Sequence, residues 1–154
     1  MSNKSKGVYL VVVQFVLLGA IVFLPHGDFW SVSEIVGTFS FVVLLLGFVI
    51  TLLGIISLGS SLTATPVPKH NAVLRTSGMY AIVRHPIYLG LILIGLGLTL
   101  PAGSVLTLVS YGLLIFLLSY KARFEEQLLI AHFPQYRAYA SRVGRIIPLV
   151  GRLH

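Results

Sequence analysis

The chain contains no cysteine, which excludes a disulfide framework, thiolate chemistry and any cysteine-held metal. Acidic residues are almost as scarce: Asp28, Glu34, Glu125 and Glu126 are all four of them. Charged residues make up 10% of the sequence against 56% hydrophobic ones, where a soluble domain carries about 25% charged residues. So few charges cannot keep a water-facing surface wet. There is no Walker-type glycine loop, no HExxH and no metal-ligand spacing, and the five histidines are scattered, so no metal is expected. Nor does a charged residue fall near the middle of any apolar block, as ion pathways and proton relays require. That weighs against a transporter or pump.

Apolar residues come in long blocks, and the mean hydropathy is +0.96, so the solvent of this chain is lipid. Four blocks approach the roughly 20 helical residues needed to cross the hydrocarbon. They run from about Gly7 to Pro25, Ile35 to Leu58, Pro86 to Leu100 (a short one) and Ser104 to Tyr120. The first resembles a signal peptide only superficially. Its apolar part, Val8 to Leu24, is longer than a typical h-region and no small-x-small site follows, so a retained helix is expected. Isolated strands cannot satisfy their backbone in lipid. The expected fold is all-α: one integral membrane domain over residues 1–154, with about four transmembrane helices and a cytoplasmic C-terminal helical segment. Within 121–154 the fourth helix should continue to about His132, and Pro134 suits the first turn of a short helix reaching about Ser141.

Lys and Arg set the topology. Lys4 and Lys6 precede the first block; Lys69, Arg75 and Arg84 lie in the 59–85 connection. Lys121, Arg123, Arg137, Arg142, Arg145 and Arg152 follow the fourth block, completing all 11. The opposite loops hold only Asp28 and Glu34. The positive-inside rule then makes both termini and the 59–85 connection of this multi-pass membrane protein cytoplasmic, which in a prokaryotic host means the cytoplasmic membrane. The net charge of +7 is one of headgroup anchors flanking apolar blocks, with no aromatic-interleaved stripe for nucleic acid. Membrane lipids are the expected surroundings. The connection carries turn signals at Thr65-Pro66-Val67-Pro68, and its length suggests a function.

The polar residues able to do chemistry gather on that face. His85, ahead of Pro86, should sit near the N-cap of the third helix, where backbone N–H groups and the helix dipole favour an anionic ligand group. Tyr88 should place a hydroxyl one turn inside; Arg, His and Tyr there are equally ordinary interface anchors. Glu125 and Glu126 point about 100° apart on a helix, so one can face a site while the other meets solvent or Lys121. As membrane-edge groups, His85 and Glu126 are expected to contribute little to core packing. Tyr136 and Tyr139 share a helical face and suit either an aromatic ligand or the headgroup belt, the belt being favoured for them alone. Gly90, Gly95 and Gly97 suggest close helix packing.

Several segments occur in one order: Leu74-Arg-Thr-Ser-Gly78-Met-Tyr80, Arg84-His85-Pro86-Ile-Tyr88-Leu-Gly90, Glu125-Glu126, Phe133-Pro-Gln-Tyr136-Arg-Ala-Tyr139 and Gly144-Arg145-Ile-Ile-Pro148. That order resembles the isoprenylcysteine carboxyl methyltransferase family, which is related to the phospholipid N-methyltransferases. The resemblance covers about Leu74 to Pro148 and rests on RHPxYxG together with the downstream glutamate pair. It implies S-adenosylmethionine as methyl donor, with no metal, bound at the cytoplasmic side. Cofactor contacts are implied for His85, Tyr88, Glu126, Tyr80, Arg84, Tyr136 and Tyr139, and catalytic roles beside the acceptor for Arg145 and Glu125. It implies a hydrophobic or lipid-like acceptor, prenylcysteine carboxylate-like, entering from the bilayer; a phospholipid amine or a small thiol is the alternative. Pro134 replaces a glycine common in the family, and the acceptor is not inherited with the motif. The reading from a different class is a non-catalytic four-helix scaffold or lipid-binding subunit.

Overall fold

A computed structural model describes residues 2–59 and 73–153. The turn at Thr65–Pro68 and Lys69 therefore lie outside the described residues. The chain folds as helices α1 (Asn3–Phe23), α2 (Glu34–Leu58), α3 (Pro86–Thr99), α4 (Val105–His132) and α5 (Tyr136–Ala140). Among the described residues there is no strand, only an isolated parallel bridge between Val83 and Gly144. It is a polytopic all-α membrane protein.

Local chemistry sets the helix ends. Ser2 Oγ accepts from the Ser5 N–H at 3.1 Å to cap α1, and Ser33 Oγ accepts from Val36 N–H at 3.3 Å to cap α2. Pro86 opens α3 behind His85, whose backbone is outside the helical region as the proline demands. A 3-10 turn, Leu100–Ala102, ends α3, and Gly103 at φ +59° reverses the chain into α4. Two expected boundaries move. α1 begins at Asn3, ahead of Gly7, behind the Ser2 cap, and Lys6 in its first turns lies over the rings of Tyr120 and Phe124 at 5.1 and 4.5 Å. α5 begins at Tyr136, since Pro134 and Gln135 form a turn first.

α1, α2 and α4 are each long and apolar enough to cross a membrane. The Pro86–Ala102 run is shorter; at about 1.5 Å per residue it rises about 25 Å. It lies antiparallel along α2 with almost no space between the backbones. A Cβ at Gly90 would stand 2.7 Å from Gly47 O, and one at Gly97 would stand 2.7 Å from Ser40 O. These glycines serve close packing, which in lipid replaces the missing hydrophobic drive between helices. Apolar side chains point outward, as at Ile35 and Phe116.

The four long helices alternate in direction. At one end the α1–α2 loop meets the α3–α4 turn through Gly27 N–H to Ala102 O at 2.8 Å and Trp30 Nε1–H to Leu100 O at 2.8 Å. The opposite end gathers the start of α1, the end of α2, the start of α3, the end of α4 and the C-terminal segment. The described polar motif residues all lie there.

Candidate active site

The site is built from the inside outward around Glu126. α4 continues past its apolar stretch, and Glu126 on its inner side is 3% exposed. Arg84, just before α3, places Nη2 2.9 Å from Glu126 Oε1. Arg145, on the C-terminal segment, donates Nε–H to Glu126 Oε2 at 2.9 Å and brings Nη2 to 2.8 Å of the same oxygen. His85 Nε2 lies 3.3 Å from Oε1. Both oxygens of Glu126 are thus held by cationic or imidazole groups.

Glu125, the next residue, points elsewhere. The Tyr88 hydroxyl donates to Glu125 Oε2 at 2.8 Å, and His85 Nδ1 stands 3.6 Å from that oxygen. The His85 and Tyr88 rings stack at 5.2 Å and 3°. Glu125 keeps a side chain 27% exposed, and its Oε1 has no hydrogen-bond partner among the described residues. The expected divergence of the pair is present. Its outer member does not meet Lys121, which turns inward to Gln14.

The C-terminal segment straps this arrangement together. Arg84 N–H donates to Gly144 O at 2.9 Å and His85 N–H to Arg145 O at 3.0 Å, the pairing that makes the Val83–Gly144 bridge. The Arg84 guanidinium donates to Ala140 O and to Gly151 O, each at 2.7 Å. Arg84 therefore holds the end of α5 and the strap at once.

Burial corrects one expectation. His85 at 6% and Glu126 at 3% exposed belong to the packed interior and do not sit at a wet membrane edge. A carboxylate this far from water needs protein partners on both oxygens, and Arg84, His85 and Arg145 supply them. A second correction concerns Tyr136 and Tyr139. They do lie together, T-shaped at 5.8 Å, but at 1% and 7% exposed they form a core with Phe133 and Ala140 and are not a headgroup belt. The Tyr139 hydroxyl donates to Tyr80 O at 2.5 Å. Burial pushes the Tyr139 phenol up to about 12. Burial, reinforced by the Glu126 carboxylate, pushes Tyr136 well above its ordinary value, and burial with Glu125 does the same to Tyr80. All three stay neutral donors at physiological pH. The Tyr136 hydroxyl and Arg84 Nε are buried without a partner among the described residues.

All nine sequence-derived candidates thus converge on one end of the bundle. Gln14 and Arg123 were missed, and Lys121 was considered only as a partner for a glutamate. Lys121 and Gln14 form a buried hydrogen bond of 2.7 Å under Tyr88; a lone amide in the first apolar block was the only signal. Arg123 lines, with Arg145, a cleft of about 150 Å³ between α4 and the strap. No cluster of metal-ligating residues occurs among the described residues.

A family model described as phospholipid methyltransferase matches residues 35–136. The matched stretch includes Arg84, His85, Tyr88, Glu125 and Glu126; α1 and Arg145 lie outside it. No curated protein and no solved structure matches the chain.

Proposed function

The chain belongs to the phospholipid methyltransferase family, and we propose that its Glu125–Glu126 cluster binds S-adenosylmethionine and methylates a hydrophobic, lipid-like acceptor at the cytoplasmic membrane face. The observation that carries the reading is the seating of the matched Arg84-His85-Pro86 and Glu125-Glu126 in one largely buried network at one end of the bundle.

The residues fit such a donor. The unpartnered Glu125 Oε1 suits an ammonium or a pair of hydroxyls. The buried, unpartnered Tyr136 hydroxyl and Arg84 Nε are further polar groups with capacity to spare. When bound, S-adenosylmethionine supplies an activated methyl group on a sulfonium. Displacement on that group is in-line, so the protein's task is to position, desolvate and exclude water. His85 and Tyr88, stacked and tied to Glu125, hold the start of α3 rigid. Glu126 acts through the groups it holds: it fixes Arg84, His85 and Arg145 in place. Arg145, half on Glu126 and half at the cleft, is the group that meets an anionic part of the acceptor. An amine acceptor must shed a proton, and Glu125 is the carboxylate placed to take it; a carboxylate acceptor needs no base.

The family match favours an aminophospholipid over a prenylcysteine carboxylate as acceptor. The outward apolar faces favour an acceptor that reaches the site sideways from the lipid. Transfer of radiolabelled methyl from S-adenosylmethionine to lipid extracts and prenylcysteine analogues tests the reading. Label in a lipid-extractable product supports it; no transfer to any lipid-like acceptor by protein that binds the donor removes it.

A further inference from the structure

Two basic side chains are buried at this end of the bundle, and only one of them meets a carboxylate. Arg84 is paired with Glu126. Lys121, one turn before Glu125 on α4, is 5% exposed, and among the described residues no carboxylate lies within ion-pair distance of its ammonium. A lysine near the end of a span ordinarily runs its stem toward the headgroups. Lys121 turns into the bundle instead, where Nζ donates to Gln14 Oε1 and stands 5.1 Å from the centroid of the Tyr88 ring. Gln14 is itself 7% exposed, set between Val13 and Phe15 in the apolar run of α1. An ammonium and an amide are costly to bury between apolar helices, and an apolar pair would join α1 to α4 at less cost.

The neighbours of this pair supply the reason for it. The ammonium lies over the ring that links α3 to Glu125: Tyr88 stacks on His85 and donates its hydroxyl to Glu125 Oε2. A cation over an aromatic ring is held by the ring's negative face, and more firmly where water is excluded. Glu125 attracts the same ammonium from one turn along α4. Gln14, Lys121, Tyr88 and Glu125 thus form a continuous polar line through α1, α4 and α3, which ends at Glu125 Oε1, unpartnered among the described residues. Gln14 lies outside the stretch that the family model matches, so this support comes from a part of the chain the match does not reach.

We propose that Lys121 is a positioning residue for ligand binding at Glu125. Its ammonium, anchored by Gln14, fixes the Tyr88 ring so that the hydroxyl holds one Glu125 oxygen and leaves the other turned to the ligand. α1 thereby supports the site through a single amide. The inference rests on Glu125 being the carboxylate that meets the methyl donor, as proposed for the site.

Lys121→Met alone strands the Gln14 amide, so the informative variant pairs it with Gln14→Leu, in the full chain in nanodiscs. Thermal unfolding of the paired variant should return most of the way to wild type. Affinity for S-adenosylhomocysteine, the demethylated product, should nevertheless stay about tenfold weaker by calorimetric titration, the size of one lost hydrogen bond to a charged group. In a Tyr88→Phe background the same two changes should weaken binding no further, since the hydroxyl through which Lys121 acts is gone. Fluorotyrosine incorporated at position 88 should give a narrow fluorine NMR line in the otherwise wild-type chain, and one that shifts and broadens in the paired variant. Recovery of affinity together with stability overturns the proposal and leaves Lys121 a pin between helices. An equal further loss in the Tyr88→Phe background also overturns it, because Lys121 would then act by another route. If wild type binds no S-adenosylhomocysteine, the donor reading fails, and the fluorine line alone decides the hold on Tyr88: a moved line keeps it, an unmoved line removes it.

Discussion

Lys121 Nζ donates to Gln14 Oε1 at 2.7 Å and lies 5.1 Å from the centroid of the Tyr88 ring. One buried hydrogen bond thus joins α1 to α4 beneath the residues that carry the site. Gln14→Leu leaves the ammonium buried without an acceptor, which costs roughly 1.5–3 kcal/mol. Adding Lys121→Met should recover most of that loss, because an apolar pair leaves nothing unsatisfied. Thermal unfolding of both variants and the pair in detergent measures it. Equal destabilisation by single and double changes would show that the contact does not couple the helices.

Glu125 and Glu126 should separate stability from binding. Glu126→Gln removes the carboxylate from among Arg84, Arg145 and His85 and should destabilise by roughly 3–5 kcal/mol. Glu125→Gln, at a partly exposed side chain, should keep the fold and weaken S-adenosylhomocysteine about ten- to a hundredfold. Calorimetric titration beside an unfolding curve decides it, and identical behaviour of the two variants would contradict the division.

Alkaline pH should probe the strap's support. Burial, with the Glu126 carboxylate adding to it against the lowering pull of Arg84, pushes the folded Tyr139 phenol up to about 12, above its unfolded value of 10.0. A raised acid pKa means the fold favours the protonated form. Its stabilisation is complete below about pH 10 and is lost as pH rises through about 12. Tyr139→Phe should cost about 1 kcal/mol at neutral pH and flatten the alkaline fall in stability. A pH–stability curve unchanged by Tyr139→Phe would remove Tyr139 as the cause.

The partition of Lys and Arg predicts four crossings with both termini inside. With no native cysteine, single cysteines at Ser2, Ser31 and Ser141 report cleanly; Ser31 spares the Ser33 cap. On intact cells an impermeant maleimide should label only position 31. Labelling at 2 or 141 would reverse or break this topology.

Composition and order alone determined that this chain lives in lipid, that its spans are helices, and that its polar motif residues gather at one end. Those follow from local rules: apolar block length, backbone satisfaction, a proline at a helix start and the placement of Lys and Arg. The extension of α4 to His132 and the packing role of Gly90 and Gly97 were legible in the same way. The burial of Glu126 was not, because a carboxylate at a helix exit is exposed unless three partners distant in sequence close over it. Arg84 and Arg145 do so only once the strap pairs with Val83–His85, a contact no periodicity encodes. Likewise Tyr136 and Tyr139 carry the same helical spacing whether they meet headgroups or a core. Phe133, Ala140 and the Tyr80 carbonyl decide for the core, because only the tertiary fold brings an acceptor to the Tyr139 hydroxyl and an apolar wall to both rings.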